Sequence, residues 1–255
     1  MTDRKPLAGK VALITGAARG IGLAAVTRLA ADGADIVAFD LPGTSLHDAV
    51  KAAEAAGRRA VTFEGDVTVA DDWKRVVRLA LQSFERIDIL FNNAGISGQL
   101  RGMLEYPDDD FDRVMAVNVR GAWLAMKHAM PVLRARGGGS IVNTSSVAGL
   151  AGNPPGMSTI AYNTSKGADI NFTRALAAEW GKYNINVNAI CPGFFPSKMS
   201  QGLLDKLGKS IIAMTPLQRI GGDEDLMGTA VFLASEASRH VTGQYLTVDG
   251  GASCC

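Results

Sequence analysis

Four side chains in the middle of the chain have types that suit proton transfer. Tyr162 and Lys166 are four residues apart in a helix-like segment, so their side chains share one face. A free phenol has a pKa of about 10 and is a poor base at neutral pH, but a nearby ammonium group favours the phenolate. Ser146 follows a strand-like run and Asn118 lies in a helix-like run. The pair is a candidate acid/base with two polar partners, although Ser and Asn at such positions also commonly cap turns.

A glycine-rich turn, Thr15-Gly-Ala-Ala-Arg-Gly-Ile-Gly22, connects a strand-like run to a helix-like run. Glycines permit a tight turn and let backbone N–H groups approach a pyrophosphate. The positive N-terminus of the following helix favours the same anion. The turn therefore predicts a dinucleotide site.

Asp40 ends the second strand-like run, 18 residues after Gly22. A carboxylate there can accept hydrogen bonds from both hydroxyls of an adenosine ribose, and it repels a 2′-phosphate. Arg19 is the opposing signal, because a guanidinium in the turn could contact that phosphate. No second basic residue follows Asp40 in Leu41-Pro-Gly43, so we expect NAD rather than NADP. The alternative is that Asp40 only caps the turn before Pro42.

Short apolar runs alternate with longer helix-period segments along the whole chain. Strands without polar alternation suit a parallel sheet that is covered on both faces. The predicted strands are 11–15, 35–39, 60–63, 87–91, 140–144, 186–190 and 244–248, and the predicted helices are 20–32, 44–57, 70–85, 111–136, 162–183 and 223–235. This order predicts one doubly wound α/β domain over 1–255, with helices on both faces of the sheet.

The segment 194–215 departs from that alternation. Its apolar residues are spaced by polar ones, which predicts one or two short amphipathic helices after the sixth strand. Loops at the carboxyl ends of the strands surround the ligand in open α/β sheets. We therefore expect a substrate lid with Phe194, Phe195 and Met199 as substrate contacts; the alternative is a hydrophobic segment that packs on the body.

The composition is that of a globular protein, with 255 residues, 47% of them hydrophobic and 20% charged. A formal net charge of +1 offers no field for nucleic acid or an anionic membrane. Cys191, Cys254 and Cys255 make neither a disulfide framework nor a metal site. The chain shows no secretory signal or apolar run of membrane-spanning length, so we expect a cytoplasmic protein without a metal.

In their order along the chain, these motifs resemble the short-chain dehydrogenase/reductase family over nearly the whole length. The glycine turn is similar to that family's Thr-Gly-x3-Gly-x-Gly turn, and Tyr162-x3-Lys166 to its catalytic pair. Asn92-Asn-Ala-Gly95, Pro192-Gly193 and Val248-Asp-Gly-Gly251 match further family motifs. The resemblance implies a seven-stranded Rossmann sheet and hydride transfer with a nicotinamide cofactor.

The resemblance also implies roles for the four polar residues. Tyr162 is the acid/base, and Lys166 assists it and holds the nicotinamide ribose. Ser146, rather than Ser145, hydrogen-bonds the reacting oxygen of the substrate. Asn118 holds a water molecule that relays protons to Lys166.

The implied site divides into cofactor and substrate contacts. The cofactor-binding residues are Gly16, Arg19, Gly20, Ile21, Gly22, Asp40, Leu41, Asp66, Val67, Asn93, Ala94, Gly95, Tyr162, Lys166, Pro192, Gly193 and Ser197. The substrate-binding residues are Ser146, Tyr162, Phe194, Phe195 and Met199. The gap between Ser146 and Tyr162 is longer than is usual in the family, which affects the expected shape of the pocket.

The sequence favours a medium-sized, largely apolar or cyclic secondary alcohol or ketone as substrate. Residues 191–199 are similar instead to sugar-acid dehydrogenases of the gluconate 5-dehydrogenase type, but the apolar lid suits a polar substrate poorly. An NADPH-dependent 3-oxoacyl carrier-protein reductase is a second alternative, which Asp40 opposes. A non-catalytic dinucleotide sensor is the remote one. The family resemblance implies a homotetramer packed through the helices near 111–136 and 162–183.

Overall fold

The computed structural model describes residues 5–153, 157–197 and 200–254. Seven parallel strands form one sheet in the order β3-β2-β1-β4-β5-β6-β7. They are β1 (Val11–Thr15), β2 (Asp35–Asp40), β3 (Ala60–Glu64), β4 (Ile89–Asn92), β5 (Gly139–Thr144), β6 (Ile185–Pro192) and β7 (Tyr245–Val248). The predicted seven-stranded doubly wound sheet is confirmed.

The winding of the sheet reverses beside β1. From β1 the chain adds β2 and β3 on one side, and then crosses back to place β4 on the other side. β1 is buried at all five positions, as expected for a central strand that is covered on both faces. Such a reversal opens a crevice at the carboxyl ends of β1 and β4, where ligands bind in open α/β sheets.

Helices cover both faces of the sheet. They are α1 (Gly20–Ala31), α2 (His47–Ala55), α3 (Ala70–Phe84), α4 (Asp108–Met115), α5 (Gly121–Ala135), α6 (Ile160–Trp180), α7 (Gln201–Met214) and α8 (Asp223–Ala234). Buried side chains of α1, α2 and α8 form one hydrophobic cluster with the sheet, and those of α3, α5 and α6 form the other. Two separate cores therefore hold the carboxyl edge of the sheet in place.

The predicted continuous helix over 111–136 is wrong in its middle. The structure has α4 and α5 separated by a single turn of π-helix, Ala116–Arg120. Turns of this kind are rare and occur frequently at functional sites. This turn contains Asn118. Its side-chain oxygen accepts from the Ile96 amide, and its side-chain nitrogen donates to the Ile96 carbonyl oxygen. That long-range pairing has no signal in the local periodicity of the sequence.

Candidate active site

The glycine turn has the shape that a pyrophosphate cradle requires. Gly16 and Gly20 have φ values of +64° and +53°, a backbone region that favours glycine. A Cβ at Gly22 would lie 1.9 Å from the carbonyl oxygen of Gly16. α1 begins at Gly20, so its unpaired N–H groups point to the space above the turn. The turn fits a dinucleotide, because side chains here would fill the cradle.

Hydrogen bonds from the end of β4 hold this turn in position. The Thr15 hydroxyl accepts from the amides of Asn93 and Ala94, both at 3.0 Å. The Asn93 side-chain amide donates to the carbonyl oxygens of Thr15 and Gly16 at 3.1 and 3.3 Å. Asn93 and Ala94 therefore lie beside the turn, as predicted. Thr15 was not among the predicted cofactor-binding residues, although it belongs to the quoted glycine-turn motif.

Asp40 lies at the carboxyl end of β2 and faces the glycine turn. Its Oδ2 accepts from the Ala18 amide at 2.9 Å, and its Oδ1 accepts from the Leu41 amide at 2.8 Å. Each carboxylate oxygen keeps a further lone pair. Arg19 and Leu41 are both exposed, and no hydrogen bond joins Arg19 to Asp40 within the described residues. The carboxylate is thus fixed by backbone amides beside the glycine turn.

Other predicted cofactor contacts follow neighbouring strands. Asp66 and Val67 come after β3, and Asp66 is held by the Thr68 amide at 2.8 Å. Gly193 follows β6, and a side chain there would collide with Asp249. Ser197 approaches the glycine turn, because its Cβ lies 3.9 Å from the position of a Cβ on Gly20. The start of the lid segment therefore lies beside the predicted pyrophosphate site.

The remaining predicted contacts also lie at this edge. Ile21 is half-buried in α1, Gly95 follows β4 and Pro192 ends β6. A Cβ at Gly95 would lie 3.3 Å from Asn118 Oδ1 and 3.7 Å from Lys166 Nζ. The glycine thus leaves open the space between the cofactor side and the polar residues behind it.

Tyr162 and Lys166 lie in the first turns of α6, as their spacing predicts. Lys166 Nζ lies 5.7 Å from the centroid of the Tyr162 ring. Tyr162 is half-buried, while Lys166 is buried. The ammonium is thus buried, while the tyrosine stays partly accessible. Asp169 pairs with Lys166, and the sequence motifs did not single it out.

Asn118 connects the π-helical turn to α6. Its Nδ2 donates to the Ser165 hydroxyl and to the Ile96 carbonyl oxygen, each at 2.9 Å. The Ser165 hydroxyl donates to the Tyr162 carbonyl oxygen at 2.8 Å. Asn118 is therefore held next to the helix that carries the candidate acid/base. Ser165 was not predicted, because a serine on a helix looks the same in sequence whether it faces solvent or the interior.

The two serines after β5 have different surroundings. Ser145 is buried and its hydroxyl donates to the Lys166 carbonyl oxygen at 2.8 Å. Ser146 Oγ accepts from the Ala148 amide at 3.2 Å, which leaves its own proton available to a further acceptor. This difference favours Ser146 as the serine that meets a substrate oxygen.

Two of the predicted substrate contacts, Phe194 and Phe195, line one cavity. Phe194 is half-buried and lines a cavity of about 470 Å³ between α7 and the end of β7. Phe195 is 6% exposed and belongs to the core, with its ring against Gly221. Phe195 also lines the cavity beside Phe194, and its role as a substrate contact stays a prediction. Met199 lies outside the described residues.

A loop after β4 presents apolar side chains that sequence reasoning missed. Leu100, Met103 and Leu104 are 58%, 72% and 94% exposed. Arg101 of this loop forms a parallel β-bridge with Thr159, three residues before Tyr162. The bridge places the loop beside the N-terminus of α6. No local pattern in the sequence predicts this pairing.

Within the described ranges, no helix combines the length and the apolar character needed to cross a bilayer. The sheet order, the glycine cradle and the Tyr–Lys pair together define a nicotinamide-dependent oxidoreductase. A family model described as enoyl-(acyl carrier protein) reductase matches residues 16–253. The chain belongs to the short-chain dehydrogenase/reductase family, whose members act on CH–OH and keto groups.

Relatives of this chain carry different names. It is 39% identical to a 3-oxoacyl-[acyl-carrier-protein] reductase of Thermotoga maritima, over 96% of this chain and 98% of the relative. It is 36% identical to a 2-dehydro-3-deoxy-D-gluconate 5-dehydrogenase of Dickeya dadantii, over 96% of each chain. The crystal structure of carveol dehydrogenase from Mycobacterium avium in complex with NAD superposes with a TM-score of 0.92 at 32% identity, over 98% of this chain and 100% of that chain.

Proposed function

We propose that this protein is an NAD-dependent dehydrogenase that interconverts a secondary alcohol and a ketone. The observation that carries the choice of cofactor is Asp40, whose carboxylate is fixed by the amides of Ala18 and Leu41. A carboxylate held in this way cannot rotate away from a 2′-phosphate. The repulsion between the two negative charges is strong where water is excluded. The NAD-bound carveol dehydrogenase is consistent with this choice.

Each residue around the crevice has one task in this proposal. The glycine turn and the N-terminus of α1 hold the pyrophosphate, and Asp40 accepts the adenosine ribose hydroxyls. When bound at this edge, a nicotinamide dinucleotide would supply the hydride chemistry of the reaction. Ser146 positions the substrate oxygen by a hydrogen bond.

Tyr162 moves the proton. It takes the proton from the alcohol oxygen in oxidation and returns it to the carbonyl oxygen in reduction. The Lys166 ammonium stabilises the phenolate that this exchange requires. Asn118 lies behind Lys166 and connects the pair to solvent through a water molecule. The remaining predicted contacts, from Asp66 to Ser197, line the cofactor on the carboxyl edge of the sheet.

The surfaces near the crevice favour an apolar or cyclic substrate. Leu100, Met103 and Leu104 are exposed on the loop after β4, and exposed apolar side chains that cluster beside a site suit an apolar ligand. Carveol is a cyclic secondary alcohol, and the dehydrogenase named for it is a structural neighbour. In this proposal α7 (Gln201–Met214) is the substrate lid.

Reduction of a 3-oxoacyl carrier protein is the second candidate. The relative at 39% identity bears that name, and the exposed apolar loop could accept an acyl chain as well as a ring. Asp40 opposes this candidate to the extent that the reaction depends on NADPH. A sugar acid, as in the name of the Dickeya relative, needs fixed polar partners that the apolar loop does not supply.

The test is a titration of the purified protein with NADH and with NADPH, followed by nucleotide fluorescence. We expect NADH to bind at least about tenfold more tightly, which corresponds to about 1.4 kcal/mol of discrimination. Equal binding, or tighter binding of NADPH, would mean that Arg19 outweighs Asp40 and would direct attention to oxoacyl reduction. The homotetramer and the cytoplasmic location stay predictions; light scattering would count the subunits.

A further inference from the structure

Lys166 forms an ion pair inside the protein. Its Nζ lies 3.2 Å from Asp169 Oδ2 and donates to the Thr144 carbonyl oxygen at 2.6 Å. Both charged side chains are 6% exposed. Asp169 is one helical turn after Lys166 in α6, so the two side chains share a face. The carboxylate therefore lies directly behind the ammonium that serves Tyr162.

The two charges of this pair act on Tyr162 in opposite directions. Burial works against the ammonium, but the attraction of Asp169 and Tyr162 holds the pKa of Lys166 above its usual value. Burial raises the pKa of the Asp169 carboxyl, against the lowering effect of Lys166. Wherever both groups are ionised, the net charge of the pair is close to zero. The phenol then faces a dipole instead of an isolated positive charge.

Few other charged groups near Lys166 and Asp169 can change the electrostatic potential at Tyr162. Cys191 of β6 is the titratable side chain that faces the pair from another element of the described structure, and burial raises the pKa of its thiol to about 11. Asn118 and Thr144 face the pair with uncharged groups. The thiol is neutral over most of the working range, so Asp169 supplies the negative charge.

The interior beside the pair has room for hydration. Lys166 and Asp169 line a cavity of about 10 Å³, measured for the centre of a water molecule, which is about the space for one water. Asn92 Oδ1 and Thr144 Oγ1 are buried without a hydrogen-bond partner among the described residues. A water there would satisfy such atoms and lower the cost of keeping two charges buried.

We propose that Asp169 is a positioning residue, whose carboxylate fixes the Lys166 ammonium against β5 and cancels part of the positive charge that reaches Tyr162. This inference rests on the proposed roles of Tyr162 and Lys166. Its consequence is that Tyr162 ionises at a higher pH than it would beside an unpaired lysine. Asp169 thereby shifts alcohol oxidation toward alkaline pH.

The test is a near-ultraviolet titration of tyrosinate, which needs no substrate. The wild type and Asp169→Asn are each compared with the same protein carrying Tyr162→Phe, so that the difference isolates Tyr162 from the other three tyrosines. We expect the midpoint of the Tyr162 component to fall by about one pH unit in Asp169→Asn, because one negative charge is removed nearby. Asp169→Glu, which keeps the charge, should stay near the wild type.

Controls separate charge from folding. Asp88→Asn removes another buried carboxylate, which binds Arg86 and the Val11 amide away from the crevice. It should lower stability without moving the midpoint. If Asp169→Asn does not fold, Asp169→Ser takes its place with the same expectation.

The outcomes distinguish the two levels of the proposal. A Tyr162 midpoint that is unchanged or higher in Asp169→Asn would overturn the role of Asp169 while leaving Tyr162 as acid/base. Tyr162→Phe could also leave the tyrosinate titration without any loss that is distinct from the other tyrosines, both in the wild type and in Asp169→Asn. That result would contradict the acid/base role of Tyr162, and the inference about Asp169 would fail with it.

Discussion

The side-chain amide of Asn118 donates a hydrogen bond of 2.9 Å to the hydroxyl of Ser165. This bond joins the π-helical turn to α6, between the positions of Tyr162 and Lys166. The same amide group of Asn118 satisfies both backbone groups of Ile96. One buried side chain thus ties together the loop after β4, the π-helical turn and the helix that carries the proton-transfer pair.

Replacing Asn118 with Ala should reduce both stability and activity. The substitution leaves the Ile96 N–H and C=O unpaired, at a cost of about 1–3 kcal/mol in the free energy of unfolding. Displacement of α6 relative to the cofactor should lower kcat by about a hundredfold. Urea unfolding and steady-state kinetics measure the two effects.

The matched control for that variant is Asn188→Ala. Asn188 is a buried asparagine that also joins two backbone groups, the Val241 carbonyl and the Gln244 amide, but it lies away from the crevice. Asn188→Ala should lose about as much free energy of unfolding as Asn118→Ala and keep kcat near the wild-type value. Equal losses of kcat in both variants would show that Asn118 acts only through stability.

Asp40→Ala should narrow the preference for NADH over NADPH. The variant removes the charge that repels a 2′-phosphate, and it leaves Arg19 as the nearest charged side chain of the turn. We expect the ratio of dissociation constants to fall by about tenfold or more. Fluorescence titration gives both constants. Asp48→Ala, which removes an exposed carboxylate of α2, should leave the ratio unchanged, and an unchanged ratio in Asp40→Ala would show that Asp40 is only a turn residue.

Gly22→Ala tests the cradle itself. Its Cβ would lie 1.9 Å from the Gly16 carbonyl oxygen, so the turn must move, at a cost of about 1–3 kcal/mol. NADH affinity should fall more than about tenfold as the N–H groups of α1 lose their alignment. Gly228→Ala is the control, because nothing lies within 4 Å of its added Cβ in α8; it should stabilise the protein by about 0.5–1 kcal/mol. A Gly22→Ala variant that binds NADH normally would contradict the assignment of the cradle.

The acid sensitivity of the fold should depend on Asp35. Burial alone would raise its pKa, but hydrogen bonds from the Arg59 amide and from the guanidinium groups of Arg58 and Arg59 hold the pKa below the ordinary value. A carboxyl with a lowered folded-state pKa contributes stability above its unfolded pKa and loses it as the pH falls through the folded pKa.

Asp35→Asn should therefore be about 2 kcal/mol less stable than the wild type at neutral pH, after allowance for solvent at the two arginines. The difference should shrink as the pH falls below the ordinary aspartate pKa and disappear below the lowered folded-state pKa. Urea unfolding at several pH values measures it. Asp71→Asn, which removes an exposed and solvent-screened ion pair with Lys74, should show a much smaller pH-dependent difference. A gap between wild type and Asp35→Asn that persists at low pH would rule out this role of the carboxylate.

The sequence predicts the sheet and the glycine turn well, because both depend on local patterns. Buried strands such as β1 appear as unbroken apolar runs, and the cradle needs glycine where a Cβ would collide. The predicted strand 87–91 begins instead at Ile89, since Asp88 turns its carboxylate to the Val11 amide and Arg86.

Other parts of the site depend on contacts between distant segments. The π-helical turn contains Asn118, which pairs with Ile96, and the loop after β4 is joined to the start of α6 by the bridge between Arg101 and Thr159. Asp169 appears in sequence as one more charged residue of a helix. Only the packing of α6 on β5 shows that it is buried against Lys166.

The measurement that tests the central claim most directly is NADH formation from NAD⁺ with a panel of apolar and cyclic secondary alcohols, comparing the wild type with Tyr162→Phe. We predict turnover by the wild type and a loss of at least about 3 kcal/mol of transition-state stabilisation in the variant, with NADH affinity nearly unchanged. Tyr183→Phe, which removes the hydroxyl of a ring that packs at a tilt against Trp180, should retain full activity. Near-normal turnover by Tyr162→Phe would contradict the account.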